Sequence, residues 1–267
     1  MDSILRGLKT RAKGIERFVK ISLFVLPFAL LARFVFEKVS NPWNYWQLVQ
    51  EDALVEWLTA GLYVIAAPVA LLVAYRLKNK GLSLHAILLA GLALVMFVVG
   101  MEEISWGQRV LGIESPKTFE QWNYQQELNL HNLLRREALQ VGFAIIGFYG
   151  LVASFVMPVL LKPILGKSAR SVSALVSPPW FLKSYFLLML AAQLVFLASP
   201  WLQAEFGPHW GFSYKPDEGL FLISRDREVI EWLLGLGFLF FTCWLFYLER
   251  TGFWGVARAD QPGAGQA

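Results

Sequence analysis

The sequence predicts an all-α, polytopic membrane protein with six transmembrane helices and both termini in the cytoplasm. Three observations carry this expectation. Hydrophobic residues make up 56% of the 267-residue chain and charged residues only 16%, with mean hydropathy +0.48. A soluble domain of this length would expose more charge. Six apolar runs approach the roughly 20 residues that a bilayer crossing needs. Finally, the charges divide by face. On the terminal side, fifteen of the 24 Lys and Arg stand against four acids, while nine stand against sixteen acids on the other side. The positive-inside rule then puts the basic face in the cytoplasm and the acidic face outside.

Taken in order, residues 1–20 form a basic, amphipathic cytoplasmic lead-in, where Leu5, Leu8, Ile15 and Phe18 alternate with Lys and Arg. Such a segment suits contact with anionic lipid. The six-helix domain spans 21–248. Its runs are Ile21–Phe36, Trp57–Tyr75, Leu84–Met101, Ala138–Leu161, Phe181–Ala198 and Trp232–Leu248. Pro27 predicts a kink in the first. Asn41 to Trp46 reads as a short interfacial loop with aromatic anchors. Glu51 and Asp52 are expected in the first turn of the second span, favoured by the helix dipole. The basic Ser/Pro-rich segment after the fourth span is expected to be a loop. Gln193, within the fifth run, suits an interhelical hydrogen bond. An amide-rich outer loop covers 106–130, and a second outer loop, rich in Gly, Pro and aromatics, covers 200–227 and could lie across a site. Residues 249–267 read as a disordered cytoplasmic tail. The lone cysteine, Cys243, excludes an intramolecular disulfide and reads as a small core residue.

Two polar blocks stand out on the acidic face. Glu102-Glu103-Ile104-Ser105-Trp106-Gly107-Gln108-Arg109 closes the third run, and Glu127-Leu128-Asn129-Leu130-His131-Asn132 precedes the fourth. Adjacent carboxylates at the end of a spanning helix cost hydration and so call for a purpose. Successive helical residues are about 100° apart, so Glu102 and Glu103 must have different partners. Glu102 aligns with Trp106 and Arg109 if the helix continues; if Gly107 ends it, Gln108 and Arg109 fold back. Glu127 and His131, four residues apart, share a helix face, a spacing that suits a carboxylate orienting an imidazole or two ligands of one metal. The second and sixth spans open similarly: Glu56-Trp57 matches Glu231-Trp232 in register, which places Glu56 and Glu231 at similar depth.

The Glu-Glu pair with a following Arg, a downstream His and a nearby Asn resembles the CAAX-protease and bacteriocin-processing family of intramembrane glutamate enzymes. In that family the Arg stands closer to the pair and two histidine motifs follow, whereas His131 alone is suitably placed here. The resemblance is therefore one of chemistry. It implies Glu102 or Glu103 as general base or metal ligand. The two blocks also resemble those of a family of uncharacterised bacterial multi-pass membrane proteins, over about the central third of the chain, and that likeness implies no activity. It points to a bacterial cytoplasmic membrane.

No HExxH, GxSxG, Walker A or dinucleotide fingerprint occurs, and no nucleic-acid-binding motif accompanies the net charge of +4. The leading expectation is a membrane-embedded hydrolase or transferase acting on a lipid or lipid-linked substrate at the extracytoplasmic leaflet. Glu102, Glu103, His131, Glu127 and Arg109 are the candidate catalytic residues, Arg109 holding an anionic group of the substrate. A divalent metal would be held by Glu103, His131 and Glu231, with Glu56, Gln108 and Asn132 in support. The alternatives are a non-catalytic membrane subunit that docks a partner through its outer loops, and a proton- or cation-coupled transporter. Oligomeric state is left open.

Overall fold

The computed structural model describes residues 2–112, 135–213 and 222–254. It is helical throughout, apart from a two-residue parallel pairing of β1 (Phe212–Ser213) with β2 (Leu222–Ile223). Among the described residues, five segments are long and apolar enough to cross a membrane. One of these, Glu137–Phe206, contains two long helices, α6 (Arg136–Leu165) and α8 (Lys183–Phe206). The others are α1 (Asp2–Ser40), α3 (Leu54–Asn79), α4 (Ser83–Glu103) and α9 (Asp226–Arg250).

The core is built on α3, which packs against α4 on one side and α9 on the other. Helix α9 also meets α8, and α8 meets α6. The buried face of α3 includes five small residues, Ala60, Ala66, Ala67, Ala70 and Ala74, beside larger ones such as Tyr63, Val73 and Leu77. Small side chains allow close helix approach where no hydrophobic effect drives association. Helix α1 is the outlier. Only 6% of its apolar window is buried, against 50% for α9, so most of its surface faces outward.

Several local expectations change. The stretch after α1 is helix rather than loop: α2 (Pro42–Leu48) starts with Asn41 Oδ1 accepting the Asn44 N–H at 3.2 Å and with Pro42 at its first position. Glu51 and Asp52 lie before α3, not in its first turn. Asp52 adopts a left-handed φ of 58°, and its N–H is donated to the Glu56 carboxylate. The basic connection after α6 folds into α7 (Ala169–Val176), whose Ser171 hydroxyl lies 2.9 Å from His85 Nε2. Gln193 makes its contact within α8, to Met189 Sδ at 3.4 Å. Cys243 is exposed on α9 rather than buried, which suits a lipid-facing thiol. The start of the tail is packed: Trp254 is fully buried, its ring 5.6 Å from that of His85.

Candidate functional site

At the end of the bundle where α4 stops and α3 and α9 begin, carboxylates converge. Ligand oxygens of Glu103, Glu228 and Glu231 all lie within 4.8 Å of one another, and each side chain is partly buried. Glu56, in the first turn of α3, is within electrostatic reach of all three.

Packing explains why the two helices meet there. Gly100 stands three residues before Glu103. A β-carbon on it would come within 3.0 Å of Val64 Cγ2 and 3.1 Å of the Ala60 carbonyl and Tyr63 Cβ. Gly235 stands four residues after Glu231, and a β-carbon there would lie 3.4 Å from the Tyr63 ring. Buried Tyr63 is thus clasped by both helices, and Glu103 and Glu231 are carried in above it. Tyr63 lies within electrostatic reach of both.

Charge compensation is uneven. Arg225 reaches Glu51 at 2.7 Å and Glu228 at 3.2 Å. Burial would lower this guanidinium, but hydrogen bonds to Glu51 and Glu228 hold it above its ordinary value. Glu56 and Glu228, in first turns, lie at the positive ends of the α3 and α9 dipoles. Glu103 ends α4, at the negative end of that dipole. Among the described residues, neither Glu103 nor Glu231 forms an ion pair with Lys or Arg, although Arg227 and Arg225 lie within electrostatic reach of Glu231. Three carboxylates at this separation repel strongly unless a cation or proton lies among them.

The sequence following Glu103 takes an unusual path. Ser105, Trp106 and Gly107 have consecutive left-handed φ values of 47°, 57° and 74°. Two of these are non-glycine residues, each at a cost of about 1–3 kcal/mol. The helix therefore ends before Gly107. The Glu102–Trp106 contact survives through the turn: the indole Nε1–H donates to Glu102 Oε1 at 2.7 Å. Glu102 is buried and held by Trp106, while Glu103 enters the cluster. The adjacent pair is split between two roles, as helical geometry requires. Gln108 is buried beside this turn, at the start of the short helix α5 (Gln108–Leu111).

Of the candidates, Glu103, Glu231 and Glu56 come together, Glu102 lies within electrostatic reach of Glu103, and Gln108 is buried after the turn that follows. Glu127, His131 and Asn132 lie outside the described residues, as does the side chain of Arg109. Glu228 is the residue that sequence reasoning missed. Its spacing of three from Glu231 was the available signal, since i and i+3 share a helix face. On the opposite flank of α9, Asp226 accepts the Tyr45 hydroxyl at 2.7 Å and the Lys38 ammonium at 2.5 Å. Burial, and then the Asp226 carboxylate, push the Tyr45 phenol far above its usual range, so it remains a donor. Comparison with protein-family models, curated proteins and solved structures finds no match.

Proposed function

We propose that the Glu103–Glu228–Glu231 cluster holds a divalent cation and forms the centre of a membrane-embedded hydrolase or transferase. The single observation behind this reading is the convergence of three carboxylate ligands from two helices within 4.8 Å. An all-oxygen donor set suits a hard cation such as magnesium, manganese or calcium. When bound, such an ion polarises a phosphoryl or carbonyl oxygen and makes water more acidic.

The chain's own residues then have distinct tasks. Glu103, Glu228 and Glu231 supply the anionic cradle. Arg225, anchored by Glu51, fixes the Glu228 side chain. Glu56 is the carboxylate best placed to take a proton from an attacking water or hydroxyl, because it borders the cluster without belonging to the ligand triad. Trp106 and Glu102 hold the strained turn that closes α4 just after Glu103.

The substrate class follows from the proposed topology. Six spans with both termini cytoplasmic, as the charge asymmetry favours, put this end of the bundle at the extracytoplasmic leaflet of a bacterial cytoplasmic membrane. A site at that depth meets lipid or lipid-linked molecules. The same depth disfavours a transporter, whose sites usually lie near the bilayer midplane.

The test is manganese binding to the purified chain, followed by electron paramagnetic resonance, for wild type, Glu103→Gln and Glu231→Gln. One site in wild type, lost in both variants, is the expected result. Incubation with lipid extract in heavy-oxygen water should then label a lipid product only in wild type. Absence of saturable manganese binding in wild type removes the metal-assisted reading.

A further inference from the structure

A second site is legible on the other side of α9. A cavity of about 560 Å³ lies between α1, α8 and α9, within the range of about 300–1,000 Å³ typical of ligand pockets. Its walls are apolar, including Leu31 and Val35 of α1, Ala192 and Val195 of α8, and Val229 and Ile230 of α9. Its polar residues, Lys38, Tyr45 and Asp226, form one connected group at one end.

Helix α1 is held at two levels, and the cavity opens around the second of them, where Leu31, Phe34, Val35, Lys38 and Val39 line it. At one level Phe24 meets Trp180, with ring centroids 6.1 Å apart, and Lys20 lies 4.9 Å over the Trp244 ring. At the other, Phe34 meets Trp232 at 5.5 Å, and Lys38 pairs with Asp226. An apolar space of this size does not hold water well, because water needs two to four polar partners. Left empty, it forfeits dispersion contacts along three helices. In a bilayer the medium that meets such a groove is lipid.

The polar end narrows the choice of lipid. Lys38 and Asp226, paired at 2.5 Å with Asp226 also accepting from Tyr45 and the Ile223 N–H, give the apolar groove an end with one charge of each sign. This complements a headgroup that also carries both signs, with the phosphate towards Lys38 and the ammonium towards Asp226. We infer that the groove between α1, α8 and α9 binds one zwitterionic phospholipid, with an acyl chain along Val35, Ala192 and Val195 and its headgroup at the Lys38–Asp226 pair. The site is independent of the carboxylate cluster, although both are built on the first turns of α9.

Native mass spectrometry of the full chain, released from nanodiscs of phosphatidylethanolamine or of phosphatidylglycerol, tests the assignment. Wild type should retain one phosphatidylethanolamine per protomer, and about tenfold less phosphatidylglycerol, the ratio that one charge contact supports. Ala192→Trp and Val195→Trp each fill the groove and should lower retention of both lipids about tenfold or more, while Ile87→Trp, on an exposed face of α4, should not. Asp226→Asn should erase the preference between headgroups. Manganese binding, measured on the same samples, should be unchanged by Ala192→Trp, which separates this site from the carboxylate cluster. Wild type without retained phospholipid overturns the inference, and this arm does not depend on any variant folding. Retention unaffected by either groove-filling variant overturns it too. So does a lipid-free dimer that Ala192→Trp dissociates, which would make a second copy the occupant.

Discussion

Glu103 occupies a position that nothing on its own helix favours: the carboxyl end of α4, beside two further carboxylates. Removing it should therefore have opposite effects with and without a cation. In chelator, Glu103→Gln relieves like-charge repulsion and should raise the thermal midpoint. With manganese, the wild type should gain stability by mass action, and the variant, with affinity reduced more than about a hundredfold, should gain almost none. Thermal unfolding with and without manganese reads both. An equal manganese-induced shift in the two proteins would remove Glu103 from the ligand set. Trp106 is a gentler test. Trp106→Phe keeps the ring and loses the donor to Glu102, and should cost about 1 kcal/mol because the indole is half-exposed. Denaturant unfolding measures it, and a cost near zero would show the contact to be idle.

At the scale of elements, the site depends on how closely α4 and α9 approach α3. The two glycines that allow this are not equivalent. A methyl at Gly100 meets the Ala60 carbonyl and Tyr63 Cβ at 3.1 Å, whereas one at Gly235 meets only ordinary contact distances. Gly100→Ala should thus cost about 1–3 kcal/mol, the range for overpacking, and weaken manganese binding by displacing Glu103. Gly235→Ala should be near neutral in both assays, and the difference between the two variants is the informative quantity. Their position was readable as part of apolar runs, but their purpose was not, since a glycine's neighbours on another helix leave no trace in its own segment. The same applies to α2 and α7. Their sequences carry turn-forming and interfacial residues, and only the surrounding helices supply the faces against which they fold.

For the whole molecule, topology decides which compartment the carboxylate cluster serves. In a Cys243→Ser background, a cysteine placed at Asn41, exposed beside the start of α2, should react with a membrane-impermeant maleimide on intact cells. One placed at Asn79, exposed at the end of α3, should react only after lysis. The reverse pattern would invert the proposed orientation. The opposite end of the bundle has its own charge balance: buried Glu249 accepts from Arg76 at 3.0 Å and Lys80 at 2.8 Å. Positive residues there are thus partly structural, joining α3 to α9, and their excess is what favours the proposed orientation.

By itself the sequence determined the all-helical class, the apolar runs and the acidic character of one end, because hydropathy, length and charge are local and additive along a chain. It also separated Glu102 from Glu103, since the angle between neighbours on a helix is fixed by geometry. Only the tertiary structure decided the membership of the cluster. Glu228 joined it because α9 meets α4 across Tyr63, and Glu56 came beside it because α3 lies between them. Such companions are set by helix rotation and approach distance, which depend on glycine contacts between separate helices, Gly100 with Ala60 and Tyr63 and Gly235 with Tyr63.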